Sequence, residues 1–245
     1  MPARPNVVGI VQARMGSSRL PGKTLTPLLG RPMLQVIMER VLPAQRVDHW
    51  VIATTPLPMD DRIEDVARQL GVQSFRGSEN DCLDRYYQAA CQAHAATVVR
   101  LTGDNPLMDA SFVDWSVEQF LQSDPPVDYT ESSTSKTFPL GLSLEVISFP
   151  ALETAWKEDP SPETREHVSP YIYQHPDQFR LGKLYGPYDY SHMRCTVDTE
   201  DDLRFVRTVF ESFARTDFSW LEAAQKIEQH PQWLDINRHV VHRTL

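Results

Sequence analysis

Apolar runs of strand length alternate with amphipathic stretches through the first half of the chain. The runs cover residues 7–13, 50–54, 72–75 and 97–102. Between and after them, apolar residues recur at helical spacing, which predicts helices near 33–42, 63–70, 83–94 and 111–121. Strands that alternate with helices are typical of a mostly parallel sheet covered on both faces. The pattern therefore predicts a doubly wound, three-layer α/β/α fold of the α/β class.

The pattern changes after the polar, proline-containing turn at 123–128. Further strands are predicted at 142–148, 179–184 and 193–197, and helices at 150–157 and 200–213. The last 28 residues have helical periodicity with a break before Pro231. We interpret residues 1–245 as a single domain, in which 123–195 form a substrate-covering subregion and 214–245 a helical C-terminal extension.

Composition limits the partners of the chain. The 245 residues carry a formal net charge of −9, which disfavours general binding to nucleic acid or to membrane surfaces. No run approaches the roughly 18 apolar residues of a membrane span, and the first residues lack the apolar core of a signal peptide. The three cysteines show no CxxC spacing, so reduced thiols are expected. Together these features predict a cytoplasmic protein.

The segment GSSRLPGKT, residues 16–24, resembles the P-loop motif but does not match its spacing. Five residues instead of four separate Gly16 from Gly22, and Pro27 would break the helix that follows a true P-loop. The charge pattern is nevertheless suggestive. No acidic residue precedes Glu39, whereas the same stretch contains five basic residues, which are Arg4, Arg14, Arg19, Lys23 and Arg31. In a chain that is acidic overall, this basic segment predicts a polyphosphate site; the alternative is a solvated basic surface.

Ligands of doubly wound sheets bind at the carboxyl ends of the strands. The first strand is followed by the basic segment, the fourth by GDNPLMD (103–109), and the predicted strand at 193–197 by DTEDD (198–202). Glu145 lies within the strand predicted at 142–148. Cations thus follow one strand, and carboxylates lie at the other positions.

Six segments in this order resemble the cytidylyltransferases, and most closely the branch named for spore-coat polysaccharide biosynthesis protein F. That branch is related to the enzymes that activate acylneuraminic and ketodeoxyoctonic acids with CMP. The segments are QARMGSSRLPGK (12–23), RGSENDCLDRYYQAA (76–90), RLTGDNPLMD (100–109), FPLGLSLEV (138–146), EHVSPYIY (166–173) and TVDTEDDL (196–203). The resemblance implies a fold like that of the nucleotide-diphospho-sugar transferases.

The resemblance also implies roles for individual residues. The loop after the first strand would hold the triphosphate of CTP through Ala13, Arg14, Gly16, Ser17, Ser18, Arg19, Gly22 and Lys23. Asp104 and Asp198 would bind Mg²⁺, a cation that prefers oxygen ligands, and together with Arg14 and Lys23 would form the catalytic set. Base and ribose would contact Gly77, Ser78, Asp81 and Arg85. The acceptor would contact Gly141, Glu145 and His167.

Some of these residues have simpler explanations. Asp198 could cap the helix predicted at 200–213, Asp104 could cap a helix or turn, and Arg85 could lie on a helix surface. His167 could be an ordinary core or surface residue. Ser143 departs from the resemblance, because aspartate is the commoner residue in its motif, and this leaves the identity of the acceptor open.

The sequence therefore predicts a CTP-dependent transfer of CMP to a sugar, sugar acid or phosphorylated small molecule, with release of pyrophosphate. A homodimer is expected from the resemblance, with residues 123–195 on the acceptor and dimer side. Two alternatives remain at this stage. A nucleotide-sugar-dependent glycosyltransferase should carry Asp-x-Asp after a strand, whereas the aspartates of GDNPLMD are five positions apart. A non-catalytic nucleotide-binding protein should have lost Lys23, Asp104 or Asp198.

Overall fold

The computed structural model describes residues 5–133 and 135–241. The strands of this part of the chain are β1 (Val7–Gln12), β2 (Pro27–Leu28), β3 (Arg31–Pro32), β4 (His49–Thr54), β5 (Gln73–Arg76), β6 (Thr97–Thr102), β7 (Tyr129–Glu131), β8 (Glu145–Ser148) and β9 (Leu181–Lys183). Its α-helices are α1 (Met33–Val41), α2 (Asp61–Leu70), α3 (Cys82–Gln92), α4 (Ala110–Leu121), α5 (Phe149–Glu158), α6 (Pro162–His167), α7 (Pro170–Gln174), α8 (Glu200–Phe213) and α9 (Trp220–Gln229). Short 3-10 helices cover Lys23–Leu25, Pro58–Asp60 and Pro231–Ile236.

Seven strands form one sheet in the order β5-β4-β1-β6-β8-β7-β9. The first four are parallel, β8 runs antiparallel to both its neighbours, and β9 is parallel to β7. Helices α1, α2 and α4 cover one face, and α3, α5 and α7 cover the other. The predicted mostly parallel α/β/α architecture is confirmed.

A third apolar cluster adds a layer outside α1. Residues of α1 such as Val36 and Ile37 pack against Phe205 and Phe210 of α8 and against Ala223 of α9. The amphipathic pattern of α8 thus faces another helix and not the sheet. The C-terminal helices are fixed by capping boxes, one between Thr199 and Asp202 and one between Ser219 and Glu222.

The register of β1 and β6 places two candidate segments side by side. Gln12 pairs with Thr102, so the two parallel strands end at the same level. Gly103 N donates to Gln12 O at 2.8 Å. Beyond this bond the chain continues into the loop with Arg14 after β1 and into the loop with Asp104 after β6. The carboxyl edge of the sheet therefore brings the basic loop and the first aspartate together.

Several predicted elements differ from the structure. No strand forms at 193–197; Arg194 makes an isolated bridge with Leu140, because Leu140 N bonds to Met193 O and Cys195 N bonds to Leu140 O in a loop. The strands predicted at 142–148 and 179–184 are shortened to β8 and β9. Strand β7, the β2–β3 hairpin and the short helices α6 and α7 were not predicted. No helix in the described ranges combines the length and apolar character that crossing a bilayer requires.

Candidate nucleotide and metal site

The loop after β1 is held by its own backbone and by one buried acid. Ser17 N and Gly22 N both donate to Met15 O, at 2.9 and 3.0 Å. Met15 N in turn donates to Oδ1 of the buried Asp60 at 2.7 Å. Gly22 has a φ of 74°, which favours glycine at this turn. A single 3-10 turn and a hairpin follow where a P-loop protein would have a long helix, so the rejection of a P-loop is confirmed.

The ammonium group of Lys23 joins the basic loop to both candidate aspartates. Lys23 Nζ donates to Asp104 Oδ2 at 2.8 Å, to Asp198 Oδ1 at 3.0 Å and to Val197 O at 2.7 Å. Arg19 Nη2 lies 2.9 Å from the same Asp198 Oδ1. The structure therefore brings together four residues that sequence analysis had proposed from three distant segments.

The surroundings of Asp198 favour its charged form. Burial raises the pKa of its carboxyl, but the nearby cations of Lys23, Arg19 and Arg194 lower it more, so that the pKa lies below the usual range. Burial lowers the pKa of Lys23, whereas Asp104 and Asp198 raise it above its ordinary value. Both partners are therefore ionised at neutral pH.

The alternative that Asp198 and Asp104 only cap helices is wrong. The N-cap of α8 is Thr199, whose side chain accepts from Asp202 N, and not Asp198. The N-cap of α4 is Asp109, whereas the side chain of Asp104 accepts from Thr102 Oγ1 at 2.6 Å and from Lys23. Neither candidate aspartate caps a helix, and both carboxylates meet at one cation.

The donor atoms around Lys23 Nζ are those a hard divalent cation prefers. They are two carboxylate oxygens and one backbone carbonyl oxygen, all within 3.0 Å of a positive charge. In the part of the chain that the structure describes, no group of three or more His, Cys, Asp or Glu side chains could hold a metal. Asp104 and Asp198 thus fit Mg²⁺ as a pair whose remaining ligands would be phosphate oxygens and water.

The segment predicted to contact base and ribose forms the entrance to α3. Asp81 caps the helix by accepting from Asp84 N at 2.8 Å, and its other oxygen accepts from Arg165 Nε at 2.8 Å. Arg85 is buried, contrary to the surface alternative, and its guanidinium donates to Ser78 O. A Cβ at Gly77 would lie 2.9 Å from Cγ of Arg85, so the close packing of this loop requires glycine. Asp81 and Arg85 therefore shape the loop from within.

A buried polar chain connects this loop to Glu145. Gln12 Oε1 accepts from Arg100 Nη2 at 3.2 Å and from Cys82 Sγ at 3.5 Å, and Cys82 Sγ accepts from Arg85. Arg100 Nη1 lies 2.9 Å from Glu145 Oε1. The second oxygen, Glu145 Oε2, is buried and has no hydrogen-bond partner within the described ranges. Glu145 thus has one oxygen fixed and one oxygen able to accept a further hydrogen bond.

Ser169 orients Glu145 from the turn between α6 and α7. Its hydroxyl donates to Glu145 Oε1 at 3.0 Å. The preceding residue, Val168, is fully buried and has a φ of 73°, a strained value for a β-branched side chain. His167, on the other side of Val168, is exposed. The strain at Val168 is the local consequence of directing Ser169 inward.

The remaining predicted residues lie around the cluster without contacting Lys23. Arg14 Nη2 is 3.5 Å from Glu166 Oε1 on α6, and Gly16 and Ser18 are exposed on the loop. Ala13 is buried, and its N–H donates to Ala53 O. Gly141 has a φ of 109° and packs against the segment before Asp198, where a Cβ would lie 2.5 Å from Thr196 N. The positive φ and the close packing explain why this position is a glycine. The contact of Gly141 with the acceptor stays a prediction.

Sequence analysis missed the residues that hold the site in place. They are Asp60, Arg100, Arg194, Asp202 and Asn237, each of which reaches a site segment through a hydrogen bond or an ion pair. Signals in the sequence exist for three of them: Arg100 begins the segment RLTGDNPLMD, and Arg194 and Asp202 lie on either side of Asp198. Nothing in the local sequence of Asn237 or Asp60 indicates a contact with a distant loop.

Known proteins are similar to this chain over most of its length. A model of the cytidylyltransferase family matches residues 8–236. The spore coat polysaccharide biosynthesis protein SpsF of Bacillus subtilis is 32% identical over 234 residues, which cover 92% of this chain and 95% of that protein. A cytidylyltransferase from Leptospira borgpetersenii serovar Hardjo-bovis is 31% identical and superposes with a TM-score of 0.92 over 98% of this chain and 100% of the other.

A more distant structure shares the fold. CMP:2-keto-3-deoxy-manno-octonic acid synthetase, solved in complex with CTP, is 20% identical, with a TM-score of 0.64 over 85% of this chain and 99% of that one. The family match spans most of the sequence, and relatives above 30% identity align along almost its whole length. The chain belongs to the cytidylyltransferase family and is a nucleotidyltransferase.

Proposed function

We propose that this protein transfers CMP from CTP to an oxygen of a sugar, sugar acid or related phosphorylated small molecule, with Mg²⁺ held by Asp104 and Asp198. The observation that carries the proposal is the contact of Lys23 with both aspartates at the carboxyl edge of the sheet. That contact joins a basic loop suited to phosphate with the carboxylates suited to a metal. Relatives named as 3-deoxy-manno-octulosonate cytidylyltransferases support a sugar-acid acceptor.

The reaction requires alignment and charge compensation from the protein. The acceptor oxygen forms a bond to the α-phosphorus, the bond from that phosphorus to the bridging oxygen breaks, and pyrophosphate leaves with the released negative charge. Where the acceptor is a hydroxyl, its proton passes to water or to a carboxylate at the site. Lys23 and Arg19 would neutralise the negative charge of the departing phosphates. Mg²⁺, when bound, would polarise phosphate oxygens as a Lewis acid.

The acceptor side is assigned to Glu145 on the basis of its free oxygen. Glu145 Oε1 is fixed by Arg100 and Ser169, whereas Oε2 is buried without a hydrogen-bond partner in the described ranges. An acceptor hydroxyl would satisfy this oxygen by donating to it, which requires the side chains that cover Oε2 to move on binding. His167 and Gly141 remain predicted acceptor contacts. A homodimer, a cytoplasmic location and a dimerisation role for 123–195 also remain predictions from the sequence.

The glycosyltransferase alternative disagrees with the family match and with the geometry of the site. Its second aspartate would have to come from GDNPLMD, but Asp109 is committed to capping α4 and accepts from Phe112 N at 2.9 Å. The carboxylate that meets Asp104 instead comes from Asp198, far along the chain.

The test is pyrophosphate release with CTP, ATP, GTP and UTP, each against a panel of sugar acids, sugar phosphates and alcohol phosphates. The proposal expects release with CTP and with one acceptor class, and no release when magnesium is chelated. Equal release with all four nucleotides would contradict CTP specificity. Transfer from a nucleotide sugar, without pyrophosphate, would support the glycosyltransferase instead.

A further inference from the structure

A buried polar chain leads from the C-terminal segment to Asp198. Asn237 follows the 3-10 helix Pro231–Ile236 and is only 2% exposed. Its side-chain amide donates to Asp202 Oδ1 at 3.0 Å and to Arg194 O at 2.9 Å. One amide group therefore ties the end of the chain to the first turn of α8 and to the segment that precedes Asp198.

Asp202 fixes the guanidinium of Arg194. Its carboxylate is fully buried and accepts from Arg194 Nε at 2.8 Å and from Nη2 at 3.0 Å, which is a two-point contact that sets the plane of the guanidinium. The same Nη2 donates to Asp198 Oδ2 at 2.9 Å. Arg194 thus bridges Asp202, which fixes its guanidinium, and Asp198, which belongs to the site.

The remaining contacts of Arg194 cannot replace Asp202. Its Nη1 is buried and has no hydrogen-bond partner within residues 5–133 and 135–241. The guanidinium is therefore oriented through Nε and Nη2 alone. Whatever fixes Asp202 consequently fixes the direction from which Arg194 approaches Asp198.

We infer that Asn237 and Arg194 are positioning residues that orient the Asp198 carboxylate for metal binding. This inference rests on the assignment of Asp198 as a metal ligand under the proposed function. Arg194 holds Oδ2, and the other oxygen, Oδ1, is thereby directed to the cation position that Lys23 fills. The C-terminal segment is in this way part of the site, although within the described ranges the hydrogen bonds and ion pairs of Lys23 and Asp104 involve none of its residues.

Loss of Asn237 has a specific consequence. Asp202 loses one of its donors, and the backbone carbonyl of Arg194 loses its amide partner. Asp202 Oδ2 is still held by the backbone N–H groups of Asp198 and Thr199. Asp202 Oδ1 keeps only Arg194 Nε as a donor, so the guanidinium is held less firmly and the orientation of Asp198 is less well fixed. Groups that orient a metal ligand from behind typically change metal affinity by about 10- to 100-fold when they are removed.

The experiment measures CTP binding by isothermal titration calorimetry without acceptor, once with Mn²⁺ and once with EDTA. Asn237→Ala should weaken binding of CTP with Mn²⁺ by about tenfold, and binding of CTP in EDTA should change less than about twofold. The matched control is Ile236→Ala, which removes apolar contacts from the same segment and leaves the polar chain intact. It should lower thermal stability without changing the ratio of the two affinities.

Further outcomes test separately the positioning role of Asn237 and Arg194 and the role of Asp198 as a metal ligand. If Asn237→Ala and Ile236→Ala weaken both affinities to the same extent, the segment only stabilises the fold and the inference is wrong. If Asp198→Asn leaves the Mn²⁺-dependent affinity unchanged, the metal assignment itself fails. If Asn237→Ala does not fold, Arg194→Lys replaces it: a lysine keeps the charge but cannot bridge both acids, so an unchanged ratio in that variant would overturn the inference.

Discussion

At the scale of single residues, Lys23 has two roles that oppose each other. Its ammonium makes three hydrogen bonds to oxygen atoms and holds Asp104 and Asp198 together in the absence of nucleotide. The immediate cluster has as many cations as carboxylates, with Lys23, Arg19 and Arg194 facing Asp104, Asp198 and Asp202. A divalent ion that arrives alone therefore finds carboxylates whose charge is already compensated.

Replacement of Lys23 should consequently change metal binding and nucleotide binding in opposite directions. Lys23→Met should weaken CTP binding, because a charge that faces the phosphates is lost, and strengthen Mn²⁺ binding without nucleotide by about tenfold or more. Electron paramagnetic resonance of free Mn²⁺ measures the second effect. Lys183→Met, the same change on an exposed residue of β9, is the control and should alter neither affinity. Weaker Mn²⁺ binding to Lys23→Met would show that Lys23 does not compete with the metal.

Asp202 should contribute stability with a defined pH dependence. Burial raises the pKa of its carboxyl, but the hydrogen bond and charge of Arg194 lower it further, with help from Asn237, so the folded-state pKa lies below the unfolded value of about 3.9. For an acid with a depressed pKa, the stabilisation is present above the unfolded pKa and is lost as the pH falls through the folded pKa. Urea unfolding of wild type and Asp202→Asn should therefore differ by about 3 kcal/mol at a constant level from pH 8 to pH 5. The difference should shrink below about pH 4, and a difference that instead grew in acid would contradict the assignment.

At the scale of elements, the segment at 193–197 depends on the loop that contains Gly141. This segment delivers Asp198 to the site but pairs with a loop and not with the sheet. Gly141→Ala places a Cβ 2.5 Å from Thr196 N at a φ of 109°, so the segment must move. We expect a loss of about 3 kcal/mol in the free energy of unfolding and a reduced turnover.

Gly71→Ala provides the comparison for that substitution. Gly71 ends α2 with a φ of 67°, but an added Cβ has no atom within 4 Å. This variant should lose about 1 kcal/mol from the left-handed backbone alone and keep its turnover. Urea unfolding and pyrophosphate release measured on both variants separate backbone strain from displacement of the segment. Equal turnover in the two variants would show that the segment tolerates the clash.

The elements also show what could be predicted from sequence. The parallel strands β1, β4, β5 and β6 could be predicted because they are short apolar runs, and their helices because apolar residues recur at helical spacing. Each of these helices buries its apolar face against the sheet. The segment at 193–197 has the composition of a strand, yet its partner is the irregular loop around Leu140, which periodicity cannot reveal. Lys23 and the two aspartates, which the family resemblance named, are in contact, and their roles toward phosphate and metal stay predictions. Asn237 and Asp60 could not be predicted, since their contacts depend on long-range packing.

At the scale of the whole molecule, the reactivity of the three cysteines tests whether the interior is closed to solvent. Burial raises the pKa of Cys195 to about 12 and also raises that of Cys82, and both side chains lie inside the protein. Cys91 is partly exposed. Ellman's reagent at pH 8 should therefore modify only Cys91 quickly, and the other two thiols only after unfolding. Rapid modification of Cys195 in the native protein would show that the segment before Asp198 opens in solution.

The whole molecule brings distant parts of the chain to one edge of the sheet. Lys23 follows β1, Asp104 follows β6, and Asp198 is held from the C-terminal side by α8 and the segment of Asn237. Helices α8 and α9 belong to the apolar cluster around α1, and Asp202 in the first turn of α8 supports Asp198. Both aspartates are therefore expected to act as one site.

The most direct test of that expectation is the rate of CTP-dependent pyrophosphate release by Asp104→Asn, Asp198→Asn and Asp201→Asn. Asp201 is the matched control, because it lies next to the site in sequence but pairs with Arg204 and His239 on the surface of α8. We expect a loss of about 100-fold or more in turnover for each of the first two variants and near-wild-type turnover for the third. All three variants should have circular dichroism spectra like that of the wild type. Full turnover in a folded Asp198→Asn protein would contradict the two-aspartate site.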